Sequence, residues 1–196
     1  MPRCGAVCDI HSIHAVSCGS GGNRIWKHNN VRDAIFQACQ QAQLGPLKEP
    51  EGLLPGSDDR PGDLMLPHYA NGKALVLDIT VVNAQQAALV RRVAEDGEAA
   101  VAEAHTRKLR KYEDRCRAEG LVFAPLAVDS FGGWHPTALD FLSKLGRQLA
   151  RVVGRGEDET VLHLRQRLGV LLVRDTMQMV QSRAPEHTPP EVDGLE

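Results

Sequence analysis

The chain has 196 residues, 42% of them hydrophobic and 24% charged, with a formal net charge of −2. This is enough apolar material to bury a core, and no run approaches the ~18 to 20 apolar residues of a membrane span. The N-terminus lacks the charged-then-apolar pattern of a secretory signal, and the slight net acidity argues against a uniformly basic nucleic-acid binder.

In chain order, residues 1–23 are rich in Cys, His, Gly and Ser and show little periodicity. The spacing Cys4-x3-Cys8-x5-His14-x3-Cys18 offers four soft or borderline ligands, with His11 a rival for the histidine position. Zinc takes four such ligands in a tetrahedron, and a closed set is structural rather than catalytic. So short a segment lacks apolar surface to order itself, and metal binding can supply that free energy. A zinc knuckle is expected there. Cys39 and Cys116 fall on apolar helical stripes and read as core residues.

Residues 29–44 read as a helix capped by Asn29 or Asn30 and ended by Gly45-Pro46, with Val31, Ile35, Ala38, Cys39 and Ala42 on one face. Residues 46–62 read as a Pro- and Gly-rich loop carrying Asp58, Asp59 and Arg60. Short strand 63–66 leads through the Asn71-Gly72 turn to strand 74–82, whose near-continuous apolarity predicts burial on both faces. Helical pattern covers 84–94 and 98–117, separated by Asp96-Gly97, before a third strand at 121–128 where Pro125 implies an edge or an irregular strand. Pro136 suits a helix first turn, and helices follow over 137–153 and 158–182. The Pro- and acid-rich tail 184–196 reads as disordered. This order predicts an α/β sandwich with a small central mixed sheet as one domain over 24–183.

Two features carry chemistry. Asp78 interrupts the apolar run Leu-Val-Leu-Asp-Ile-Thr-Val-Val, and a charge is rarely buried without a partner or a metal. Its partner can be an arginine such as Arg60, or a cation shared with Asp63 on the neighbouring strand. Two carboxylates suit Mg²⁺ or Mn²⁺, which keep waters and can hold a phosphate. Second, residues 104–117 carry Arg107, Lys108, Arg110, Lys111, Arg115 and Arg117 against Glu113 and Asp114, a basic helical stripe of net +4.

Taken together, Arg60-Pro61-Gly62-Asp63 followed by Asp78 resembles the PD-(D/E)xK nuclease pattern, in the form of the restriction-like endonuclease that follows reverse transcriptase in site-specific non-LTR retrotransposons. The likeness extends to the upstream knuckle, to Lys27-His28-Asn29 in the first helix, and to Lys108–Tyr112 after the second strand. It implies a restriction-endonuclease-like fold and metal-dependent nicking of target DNA. It also implies a nuclear setting and origin as a module of a longer reverse-transcriptase polyprotein. Gly62 separates Pro61 from Asp63, and Thr80 stands where the pattern places lysine; in this family a lysine of the following helix is held to take that role.

On a helix with Val101, His105, Leu109, Tyr112 and Cys116 buried, Lys108 borders the buried stripe and Lys111 lies further round, so Lys108 is the first choice and Lys111 the second. Glu49, or alternatively Glu51, can complete the metal shell. His28, Arg32, Arg60, Arg107 and Lys111 are expected to contact DNA. The alternative function is a catalytically inactive nucleic-acid-binding module of the same fold; a third is a structural or protein-interaction domain stapled by zinc.

Overall fold

The computed structural model describes residues 13–18, 22–70, 72–86 and 88–183. Ten elements follow one another: α1 (Ile13–Ser17), α2 (Asn23–Gln41), β1 (Leu47–Lys48), β2 (Leu64–Ala70), β3 (Lys73–Val82), α3 (Val90–Glu95), α4 (Ala99–Ala118), β4 (Val122–Asp129), α5 (Pro136–Val153) and α6 (Glu157–Gln181). The architecture is mixed α/β: a four-stranded sheet of order β1-β2-β3-β4 with helices on both faces. The pairings β1–β2 and β2–β3 are antiparallel and β3–β4 is parallel, so the sheet is mixed. The parallel pair requires a crossover, and α3 and α4 supply it.

Alternation along β3 divides the core. Leu75, Leu77 and Ile79 face α2, α5 and α6, joining Ile35, Leu126, Phe141, Leu142 and Leu168 in the main cluster. Val76 faces the other way, packing with Tyr112, Cys116 and Phe123, while Val82 packs with Val101, Ala104 and Ala127. Leu75 through Ile79 are all buried, which matches a strand covered on both faces. Pro125 lies in β4, paired on one side by β3, where its missing N–H costs no ladder bond. Cys39 and Cys116 are fully buried free thiols, and burial pushes the Cys39 thiol up to about 12.

Four boundaries differ from the sequence reading, the first being β2, which runs on to Ala70 past the expected 63–66. The first long helix begins at Asn23, so Asn29 and Asn30 lie inside it; Gly22, in the left-handed region at φ 75°, starts it without a side-chain cap. The weakly amphipathic residues 23–28 gave no periodic signal. Within 46–62, Leu47–Lys48 pairs with Met65–Leu64 as a two-residue strand, too short for an alternation pattern. The helix expected over 84–94 is confined to Val90–Glu95, because Asn83 starts a turn and its side chain accepts from Gln85 N. Cys4, Cys8, His11 and the tail 184–196 lie outside the described residues. No described helix is long and apolar enough to cross a membrane.

Candidate functional site

The second apolar face of the sheet has a gap, and Asp78 stands in it. On β3 it lies between Val76 and Val82, each of which belongs to a different cluster under α4. Asp78 is 5% exposed. Across the gap Lys108 follows Ala104 by one helical turn and precedes Tyr112 by another, so the ion pair fills the space between the two clusters. Lys108 Nζ donates to Asp78 Oδ1 at 2.8 Å, and Thr80 Oγ1 donates to Asp78 Oδ2 at 3.0 Å. Burial pushes the Asp78 carboxyl above its ordinary value; Lys108 and Thr80 oppose that shift and the Asp63 charge adds to it.

Asp63 sits one residue beyond the Leu64–Leu77 pair, beside Asp78. Its main-chain N donates to Leu77 O at 2.8 Å, and its Oδ2 accepts from Ile79 N at 2.7 Å. The carboxylate thus stands in for a ladder carbonyl across from the residue after Asp78. Its Oδ1 lies 3.1 Å from His28 Nε2 of α2. Gly62 makes this approach possible: a Cβ there would meet Val76 Cγ1 at 2.4 Å and the Leu77 carbonyl oxygen at 2.7 Å. The residue that separates Pro61 from Asp63 is therefore sterically required.

Glu49 occupies the next place in the same row, donating its N–H to Asp63 O at 2.7 Å. Its carboxylate is held by Arg32, which is 7% exposed and also donates to Asp33 Oδ1 at 2.8 Å. Glu49 just after β1, Asp63 just before β2 and Asp78 in the middle of β3 therefore form a row across three adjacent strands, and two residues of α2 one turn apart, His28 and Arg32, grip the first two acids. Among the described residues no three His, Cys, Asp or Glu side chains converge as a metal cage, consistent with Glu49 being engaged by Arg32.

Beside this row opens a cleft of about 540 Å³. Arg24, Lys27, His28, Thr80, Arg107 and Lys108 are among its lining residues. Lys27 is 3% exposed and donates to Ser130 Oγ at 3.0 Å. Burial lowers its pKa to about 8; Asp175 and Asp129 pull it upward and Arg24 pushes it further down. Ser130 Oγ donates in turn to Val82 O, and Thr176 Oγ1 of α6 donates to Ser130 O. Asp175, fully buried, accepts from Asn30 Nδ2 at 2.8 Å and from Arg174. Polar contacts thus tie α2 and α6 to the end of β4 under the cleft floor.

The other expected residues distribute as follows. Lys111 points away from Asp78, 3.6 Å from Asp59 and 4.7 Å over the Tyr112 ring. Arg60 pairs with Glu51 on the surface and not with Asp78. Arg107 is in the cleft wall. His14 lies on α1, and Cys18 N donates to His14 O at 2.8 Å, one turn on. Sequence reasoning gave no role to Arg24, Ser130 or Asp175. Asp175 was detectable: Leu168, Leu172, Asp175 and Met179 share one helical stripe, which puts an acid at a core position. Comparison of the sequence with protein-family models and with curated proteins found no match.

Proposed function

We propose that this chain is a metal-dependent DNA endonuclease domain with the restriction-endonuclease-like fold and an N-terminal zinc knuckle. The observation that carries the reading is the adjacency of Asp63 and Asp78 on neighbouring strands, with Lys108 bonded to Asp78, beside a cleft lined by cations. Lys108 supports it in particular: Thr80 stands at the usual lysine position, and the helix after β3 returns a lysine to the same carboxylate.

The residues fit a divalent cation. Asp78 is a buried carboxylate whose charged form the fold disfavours, so a second positive charge beside it is stabilising. Two carboxylates leave the remaining positions to water and phosphate, as Mg²⁺ or Mn²⁺ requires. Such a cation, when bound, polarises the phosphoryl group and acidifies an attacking water. The chain's own residues do the rest. Asp63 and Asp78 hold negative charge at a fixed place, and His28 and the Ile79 amide fix the direction of Asp63. Lys108 Nζ donates to the attacking water or to the phosphate oxygen on which charge accumulates. Hydrolysis adds water oxygen to phosphorus, breaks the bond to one bridging oxygen, and returns a proton to that leaving oxygen. Arg24 and Arg107 bind flanking phosphates, and the buried Lys27 charge beside them adds to the attraction.

The knuckle belongs to the same reading: His14 lies on α1 and Cys18 directly follows its end, with Cys18 N donating to His14 O. A nuclear setting and a neighbouring reverse-transcriptase domain rest on the family resemblance. A second reading, an inactive DNA-binding module, is favoured by Thr80 and by the Arg32 grip on Glu49. Supercoiled plasmid incubated with the protein and Mg²⁺ or Mn²⁺ separates the two. Conversion to open circles, blocked by chelation, supports the nuclease; salt-sensitive binding without conversion selects the inactive module.

A further inference from the structure

The far side of α6 carries a feature that the cleft does not explain. Leu162, Val170, Val173 and Met177 are 53%, 69%, 43% and 44% exposed. At about 100° per residue they fall within one stripe, and at about 1.5 Å per residue the stripe runs roughly 22 Å. Single exposed apolar residues are ordinary, but an aligned series along one helix marks a contact surface. Two surface hollows, of about 520 and 500 Å³, adjoin one another through His163 and Arg167 on this helix. The first has an apolar floor that includes Leu149, Val153 and Leu164. Arginines rim the track: Arg155 and Arg167 at the first hollow and Arg167 at the second, where Arg174 is already paired with the buried Asp175.

We infer that α6 docks an amphipathic helix of a protein partner, with an apolar seam laid along the stripe and Asp or Glu side chains against Arg155 and Arg167. Helix-in-groove recognition needs anchors at about i, i+3 and i+7, which Val170, Val173 and Met177 mirror. The charge of the rim selects an acidic partner. A second copy would bring the same arginine rim against this one, which opposes self-association. Nucleic acid fits less well, because a phosphate backbone gains nothing from an aliphatic floor and the stripe holds no aromatic ring on which a base can stack.

The test uses the whole chain and two labelled synthetic helices of about three heptads. Both have a leucine seam; one has glutamate flanks and the other lysine flanks. Fluorescence anisotropy is expected to show the glutamate peptide binding about tenfold or more tighter than the lysine peptide. Val170→Glu should cost about the same factor for the glutamate peptide, and a doubly reversed R155E/R167E chain should exchange the preference of the two peptides. Equal binding of both peptides, or indifference to V170E, overturns the proposal. So does displacement of the glutamate peptide by a random-sequence DNA duplex, which would make the surface a nucleic-acid contact. A concentration-dependent dimer in sedimentation that V170E abolishes overturns it as well, in favour of a second copy.

Discussion

Removing Lys108 should destabilise the protein in a pH-dependent way, and removing Asp78 should not. Lys108→Met leaves the Asp78 carboxylate, 5% exposed, with the Thr80 hydroxyl as its remaining side-chain partner. Breaking one side of a buried pair costs about 3–5 kcal/mol, because the remaining charge is uncompensated. The Lys108 side chain is 28% exposed, so water reaches part of the pair, and a loss of about 2–3 kcal/mol at pH 7 is the expectation. The sign follows from Asp78. Its folded pKa already lies above the ordinary value and rises further without Lys108. The penalty is therefore full where the carboxylate is ionised, shrinks as pH falls through that raised value, and vanishes below the unfolded value. Urea unfolding at pH 7 and pH 4.5, with and without Mn²⁺, measures it. The K108M deficit should shrink at the lower pH and also with Mn²⁺ at pH 7. Asp78→Asn, which keeps a polar partner for Thr80 and frees a part-exposed lysine, should match or exceed wild-type stability without metal. A K108M deficit equal at both pH values and indifferent to Mn²⁺ would refute the argument.

Other consequences are independent of that pair. Gly62→Ala places a Cβ against Val76 and the Leu77 carbonyl, so β2 must shift; a loss of about 2 kcal/mol or more, and reduced Mn²⁺ affinity through displaced Asp63, should appear in melting and titration. Lys27, whose ordinary value is 10.5, is held at about 8, so the fold disfavours its charged form and its contribution to stability is lost as pH falls through about 8. A bound phosphate has the opposite preference: DNA affinity should decline as pH rises through that value, and K27M should remove the step in a binding profile. Cys8→Ser should lower zinc content from about one ion per chain while near-ultraviolet circular dichroism of the main core persists; elemental analysis of wild type showing no zinc would contradict the knuckle.

Much of the sheet was legible because its residues obey simple rules. The near-continuous apolarity of 74–82 predicts a strand covered on both faces, and Pro125 points to an edge or an irregular strand, of which the sheet order shows the edge. The helical phase separated Lys108 from Lys111, since one position of rotation decides whether a side chain borders the core. The grip of Arg32 on Glu49 was hidden because it depends on the middle of α2 lying across the end of β1, a tertiary relation that leaves no periodic trace. Lys27 was hidden for a related reason. A lysine beside a histidine near a helix start looks solvent-exposed until Ser130, from a loop 103 residues away, closes over it.

The central claim is that Asp63 and Asp78 form the reacting centre, and the nicking rate of Asp78→Ala at matched DNA occupancy tests it most directly. With Mg²⁺ or Mn²⁺, wild type should convert supercoiled plasmid to open circles. Asp78→Ala should bind the plasmid as well as wild type or better, because one negative charge has left the neighbourhood of the proposed phosphate-binding cleft, and should give no metal-dependent nicking. Equal nicking by wild type and Asp78→Ala would contradict the account.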